Sequence, residues 1–347
     1  IQLQVTAVSN RKVQCEIIEG GILSDYKGIN LPGVSVSMPS FTEKDRDDLL
    51  FGIAEKVDVV AMSFVRKPED ITEIKHIISD KKVDISVIAK IEKPEAVRYL
   101  DDIIRVADGI MIARGDLGVE IPLEKVPPLQ KEIIEKSRRF GKPVITATQM
   151  LESMKSHARP TRAEVSDVAN AIFDGTDAVM LSAETSVGKY PAETVYTMSR
   201  IIKEAENSQG DFQNLTRNFN DPLLSIADAI SCSACEAAEL LNARAIVAFT
   251  TSGFTAKMVS KNRPNTNIIA FTPSKIVQHQ LNLCWGVMPF KMEFLENTDE
   301  IVQKTEEVLL SKKLVQQGDI IVILLGSPVF IKGTTNLMKL HIIGENS

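Results

Sequence analysis

Lys90, Glu92 and Asp116 are the residues of this chain best placed to do chemistry together. Lys90 and Glu92 close the run Ser86-Val87-Ile88-Ala89-Lys90-Ile91-Glu92, and Asp116 follows the run Gly109-Ile110-Met111-Ile112-Ala113. Short apolar, β-rich runs followed by helical periodicity read as buried parallel strands. Successive parallel strands end at the same rim of a sheet, so Glu92 and Asp116 are expected to be neighbours in space. Two carboxylates beside an ammonium can hold a divalent cation and an anionic substrate together.

The elements that must position them follow a regular rhythm. From Thr42 onward, strands are expected at 57–64, 85–91, 109–113, 143–147 and 178–182, with helices between them. Pro68, Pro94 and Pro191 sit at first-turn positions, each with a Glu close behind. Thr161-Arg162-Ala163-Glu164 fits a capping box. Five βα units with polar residues at the strand ends point to a (β/α)8 barrel of the TIM type, whose chemistry sits on that face. Closing such a barrel takes three more strands, which are expected to precede Ile1, so the natural polypeptide is expected to be longer at its N-terminus. Before the barrel, residues 1–19 alternate as a hairpin turning at Ser9-Asn10-Arg11, and the Gly- and Pro-containing stretches at 20–21 and 28–33 read as loop. Polar residues 207–221 read as a linker, and a second α/β unit follows, with strands expected at 245–250, 267–271, 287–292, 319–325 and 338–343, the last of them antiparallel.

Composition restricts the classes open to the chain. With 347 residues there is room for two domains, and 44% apolar with 25% charged residues is ordinary for a soluble globular protein. A net charge of −6 argues against a general nucleic-acid binder. No run approaches the roughly 18 apolar residues of a membrane span, and no signal peptide is visible. A cytoplasmic location, with neither nucleic acid nor membrane as partner, is the expectation. Four cysteines are too few for a disulfide framework, and the Cys232/Cys235 pair lies in a helical pattern and reads as small core residues. His76, His157, His279 and His341 are scattered without ligand spacing and read as structural.

Several longer motifs resemble the pyruvate kinase family. They are Ala89-Lys90-Ile91-Glu92, the segment Asp108 to Gly118 around Ala113-Arg114-Gly115-Asp116, Ala147-Thr148-Gln149-Met150-Leu151-Glu152-Ser153-Met154, Arg159-Pro160-Thr161-Arg162-Ala163-Glu164 and Asp167-Val168-Ala169-Asn170-Ala171. The resemblance is dense over 28–206 and looser beyond. It implies residues 1–27 as the returning edge of a small β lid domain, 28–206 as a partial catalytic barrel, 207–221 as linker and 222–347 as a C-terminal α/β regulatory domain. The implied reaction is phosphoryl transfer from phosphoenolpyruvate to ADP, giving pyruvate and ATP. Implied with it are Mg²⁺ or Mn²⁺, K⁺ as a further cation, and a homotetramer.

Carried over residue by residue, the resemblance makes Lys90 and Thr148 catalytic. Substrate binding falls to Lys90, Ala113, Arg114, Gly115, Asp116 and Thr148, and the metal to Glu92 and Asp116. The chemistry of these groups agrees, because phosphoryl transfer is mostly positioning and charge stabilisation. A hard cation takes a couple of carboxylates and leaves positions for substrate oxygens. Backbone N–H groups of the turn 113–116 suit the substrate carboxylate, and the Thr148 hydroxyl could help deliver a proton to the enolate carbon. Ser182, with Glu184 nearby, is a candidate proton relay at the end of the last barrel strand.

In the C-terminal unit, Thr250-Thr251-Ser252-Gly253-Phe254-Thr255 ends a strand and opens a helix, a natural phosphate cradle. Thr250, Thr251, Ser252, Gly253 and Thr255 resemble the effector-phosphate loop of allosteric pyruvate kinases, with 326–333 as the facing loop; Phe254 departs from the pattern. The segment Ala183 to Tyr190 superficially looks like a P-loop but lacks its first Gly and final Ser/Thr. Two other functions stay open. One is a metal-dependent pyruvate or phosphoenolpyruvate lyase on a similar barrel, and the other is a non-catalytic fragment that binds effector through 222–347.

Overall fold

A computed structural model describes residues 1–23, 25, 28–29, 31, 39–208, 225–293, 298–326 and 335–345, without the side chains of 298 and 299. Most of the expected linker at 207–221 and all but the first residue of the expected facing loop at 326–333 lie outside the described residues. The chain divides into two units, Ile1–Val36 and Ser37–Ser347. In the first, strands β1 (Gln2–Ser9) and β2 (Lys12–Glu19) pair antiparallel across a turn at Asn10 and Arg11. Asn10 takes φ +31°, a conformation that asparagine tolerates better than most residues. Leu3, Val5, Val13 and Ile17 each remain more than half exposed, so this hairpin buries little of its own apolar surface.

The second unit begins with the barrel segment. Its elements are α1 (Glu43–Ala54), β3 (Val59–Met62), α2 (Pro68–Asp80), β4 (Ser86–Ile91), α3 (Pro94–Arg98), α4 (Leu100–Val106), β5 (Gly109–Ala113), α5 (Arg114–Glu120), α6 (Val126–Arg139), β6 (Val144–Ala147), α7 (Arg162–Phe173), β7 (Ala178–Val179), α8 (Ala183–Ser186) and α9 (Pro191–Ser208). Strands β3 to β7 form one parallel sheet in sequence order, the arrangement of consecutive barrel strands. Side chains alternate across each strand. Val87, Ala89 and Ile91 of β4, with Ile110 and Ile112 of β5, pack against Ile71, Ile74 and Ile78 of α2, Ile103 and Ile104 of α4, and Ile133 and Ile134 of α6. The other face carries Ile88, Met111, Ile145 and Ala147. Lys90 shares this second face, two residues beyond Ile88.

Two strands are shorter than their apolar runs. Lys56 (φ +60°) and Phe64 (φ +56°) bracket β3, and a left-handed residue cannot continue an extended ladder. At the other end of the sheet β7 stops at Val179, so Ser182 precedes the short helix α8 instead of ending a strand. The helix starts agree with their sequence signals. Thr161 accepts from the Glu164 N–H at 3.2 Å while the Glu164 carboxylate accepts from the Thr161 N–H at 2.7 Å.

Beyond the described barrel helices come α10 (Ile226–Leu240), β8 (Ala245–Phe249), α11 (Phe254–Ser260), β9 (Asn267–Thr272), α12 (Lys275–Leu281), β10 (Val287–Lys291), α13 (Thr298–Ser311), β11 (Ile320–Leu325) and β12 (Leu337–Ile342). The sheet order is β10-β9-β8-β11-β12, parallel except for β12. One face packs on Ile301, Val302 and Leu309 of α13. The other packs on Ala234, Cys235 and Ala238 of α10, with Ala256 and Val277 of the neighbouring helices. Cys235 is thus a core residue and Cys232 is half-buried on the same helix. Among the described residues no helix is long and apolar enough to cross a membrane.

The C-terminal sheet docks against the barrel segment at the N-terminal ends of the barrel strands. The Gln280 amide donates to the carbonyls of Asp58 (3.1 Å) and Asp84 (3.2 Å), and His279 Nδ1 lies 2.9 Å from the Asp58 carboxylate. The Arg263 guanidinium donates to the Asp177 carboxylate at 2.9 Å and to the Gly175 carbonyl at 2.6 Å, stacking 5.2 Å over Trp285.

Candidate functional site

At the opposite rim, where β3 to β6 end, the structure brings Lys90 to Glu92, and Arg114 and Gly115 to Thr148. Lys90 is on β4 and Glu92 follows it by two positions, so both side chains leave the same face and meet. The Lys90 ammonium lies 2.6 Å from one Glu92 oxygen and donates to the Ser63 hydroxyl at 2.7 Å. The other Glu92 oxygen accepts from the Phe64 N–H at 2.8 Å. This carboxylate is only 1% exposed, a burial that requires such partners. The left-handed turn at Phe64 is what directs its N–H to the neighbouring strand. Ser63 completes a closed arrangement that the sequence reading missed. Its signal was its place at the end of the β3 run, where barrel chemistry is sited.

The register that pairs Ile91 with Ile112 puts Glu92 across from Ala113, one residue before α5. Helix α5 begins at Arg114 with Ala113 as its N-cap, so the turn 113–116 forms the start of that helix. Asp116 in this turn is exposed and has no hydrogen bond or ion pair among the described residues. Carboxylates at the ends of two neighbouring strands, one buried and one open, are hard-oxygen donors of the kind that suit Mg²⁺, which is commonly held by one or two carboxylates with other positions left to substrate and water. No group of three or more His, Cys, Asp or Glu side chains converges among the described residues.

Thr148 follows β6 with φ +67°, and Gln149 with φ +54°, two consecutive non-glycine residues in the left-handed region. Such strain persists only where neighbours over-determine it. Here Arg114 supplies that constraint, donating to the carbonyls of Thr148 (2.8 Å) and Gln149 (3.3 Å) while its other terminal nitrogen donates to the Asp167 carboxylate at 2.7 Å. The guanidinium is therefore turned inward as a clamp on the Thr148 turn. The Thr148 hydroxyl accepts from the Gly115 N–H at 2.8 Å and donates to the Ala147 carbonyl at 2.6 Å. A Cβ at Gly115 would come within 3.3 Å of that hydroxyl oxygen, so glycine keeps the two turns in contact.

Ser182 is exposed, and its N–H donates to Glu184 at 2.9 Å. Glu184, 1% exposed, also accepts from the Leu151 N–H at 3.3 Å and so ties the last two strand ends together. In the C-terminal unit Gly253 caps α11 with φ +83°, Thr251 and Ser252 are half-buried, and the buried Thr255 hydroxyl is 2.8 Å from that of Thr335.

Comparison with known proteins identifies the family. The family model described as "Pyruvate kinase, barrel domain" matches residues 1–195, and "Pyruvate kinase, alpha/beta domain" matches 228–341. A pyruvate kinase of Staphylococcus aureus strain MRSA252 is 48% identical across 99% of this chain and 59% of its own length. The Staphylococcus epidermidis pyruvate kinase is 47% identical over the same shares. The crystal structure of a pyruvate kinase from Cryptosporidium parvum aligns with TM-score 0.83 and 38% identity, covering 90% of this chain and 64% of that one. The chain thus spans about three fifths of the length of the curated relatives it matches. With a barrel-domain match over more than half of its residues, the chain belongs to the pyruvate kinase family.

Proposed function

We propose that the protein carrying this chain transfers the phosphoryl group of phosphoenolpyruvate to ADP, giving pyruvate and ATP. The observation that carries this reading is the Lys90 ammonium, fixed by Glu92 and Ser63 at the strand-end rim, with Asp116 exposed in the turn that follows the neighbouring strand. Lys90 neutralises charge on the transferring phosphoryl oxygens and on the enolate oxygen left behind, an interaction strongest in the transition state. Glu92 and Asp116 would hold Mg²⁺ or Mn²⁺, which supplies Lewis-acid charge stabilisation when bound. The turn from Ala113 to Asp116 orients the substrate carboxylate. Thr148, held by Arg114 and Gly115, would turn its hydroxyl from the Ala147 carbonyl to protonate the enolate carbon, with Ser182 as the relay beyond it.

The division into lid edge (1–27), barrel (28–206), linker (207–221) and regulatory domain (222–347) belongs to the same reading. So do an effector phosphate on the loop from Thr250 to Thr255, K⁺ as a second cation, a homotetramer and a cytoplasmic location. A coupled assay for ATP from phosphoenolpyruvate and ADP tests the activity. Formation of ATP that requires Lys90 supports it, whereas cleavage of a carbon–carbon bond without ATP formation would favour a lyase. Effector binding without either activity would favour a binding fragment.

A further inference from the structure

The seam between barrel and C-terminal sheet holds more positive charge than its own carboxylates balance. A narrow cleft, open to solvent on one side, lies there at the far end of α11 from the Thr250–Thr255 loop. It is lined by Arg138, Lys142, Lys257, Lys261 and Arg263, with Asp177 as its one carboxylate. Lys261 is paired with Asp228, and Arg263 with Asp177. Lys142 donates only to carbonyls, those of Ala107 at 2.6 Å and Arg105 at 3.4 Å. The side chains of Arg138 and Lys257 have no hydrogen bond or ion pair among the described residues. Arg263 is 5% exposed, yet its Nε–H finds no acceptor among the described residues. A buried donor left without a partner is costly, and a cleft of like charges raises that cost. The titration of the lining groups reflects the crowding: burial, and then the charge of Arg263, push Arg138 below its usual range. Burial also pushes Lys142 down to about 8, with Lys75 and Lys257 adding to the effect against the opposing pull of Asp108.

We propose that this cleft binds a small inorganic oxyanion of the phosphate type, which bridges the barrel and the C-terminal sheet. A guanidinium fork offers paired donors that match a tetrahedral oxyanion, and the ammonium groups add charge-assisted bonds from separate elements. Arg138 and Lys142 belong to the barrel segment and Lys257 and Arg263 to the C-terminal unit, so the ligand would link the two and stabilise their docking. This inference does not depend on the catalytic reading.

Calorimetric titration of the intact protein with inorganic phosphate, at ionic strength held constant with sodium chloride, tests it. The expected result is a saturable isotherm with a matching rise in melting temperature, weakened on the order of tenfold or more in Lys257→Gln and in Arg138→Gln. Lys257 is half-buried and makes no ion pair among the described residues, so its variant should fold, as circular dichroism will verify. Ser252→Asp, which would repel phosphate from the Thr250–Thr255 loop, should leave this isotherm in place. Phosphate binding unchanged in both cleft variants, or a melting rise no greater than matched chloride produces, would overturn the proposal.

Discussion

Asp116, past the end of β5, stands exposed without a protein partner among the described residues, whereas Asp108, just before the same strand, is fully engaged. One Asp108 oxygen accepts from the Val87 N–H at 2.9 Å and the other pairs with Lys75 at 2.6 Å. Asp177 repeats the pattern before β7, accepting from the Val144 N–H at 2.9 Å, from Arg263 and from the Trp285 N–H at 3.1 Å. Charged side chains occur at both rims of one parallel sheet, but their position relative to the strand separates their roles. A carboxylate preceding a strand accepts from an N–H of its neighbour and becomes a bracket, which at Asp177 also anchors the C-terminal sheet. At the far rim, where the chain turns into helix, Asp116 stays open to a ligand, while the buried Glu92 is paired with Lys90.

This contrast can be broken by mutation at either rim. The largest effect on stability is expected from Arg263→Met, which leaves the Asp177 carboxylate, 7% exposed, without its counter-ion. Removing one partner of a buried pair costs about 3–5 kcal/mol, with the lower end favoured because two backbone N–H groups remain on Asp177. Urea unfolding should show that loss while kcat stays within a few-fold; an equal collapse of kcat would mean the rims are not separable.

Lys142 gives the next largest effect, through pH. Its folded value of about 8 lies below the ordinary 10.5, so between those values the unfolded chain binds more protons and stability rises with pH. The rise should amount to roughly a few kcal/mol. Below that window the full cost of the buried charge is present. Melting temperatures taken from neutral pH to pH 10 should climb in the parent and flatten in Lys142→Met, and identical curves would remove Lys142 as the cause.

At the catalytic rim, Glu92→Gln and Asp116→Asn each remove one negative charge facing the proposed cation. Titrating Mg²⁺ against activity should show a requirement raised on the order of tenfold, and unchanged curves for both would put the cation elsewhere. The smallest effect sharpens the account of how the Thr148 segment is supported. Burial would raise the Glu164 pKa, but bonds from Ser153 and Thr161 outweigh it and hold the carboxyl below its usual value. Thr161→Ala should cost ~1 kcal/mol in unfolding measurements. It should also reduce the stability that Glu164 contributes above its ordinary pKa and loses as pH falls through its lower folded value.

Lys90, Glu92 and Asp116 were legible because they close or follow contiguous apolar runs, so period and order alone assign them to neighbouring strand ends, whereas Thr148 was reached through the resemblance of its motif. Ser63 was not legible, since nothing in the run from 57 to 64 marks Phe64 as left-handed, and that turn is what ends β3. The inward role of Arg114 also escaped notice, because its partners Thr148, Gln149 and Asp167 come from later segments. The charged cleft at the seam was wholly invisible. Arg138, Lys142, Lys257 and Arg263 belong to helices and loops far apart in sequence, and each alone reads as a solvated surface cation.

The most direct test of the central claim is kcat for ATP formation in Lys90→Met, measured together with the dissociation constant for phosphoenolpyruvate. If Lys90 acts on charge that develops in the transition state, kcat should fall by roughly 10²–10³ or more while phosphoenolpyruvate and Mg²⁺ binding stay largely intact. A variant with normal kcat would contradict the account and take Lys90 out of the mechanism.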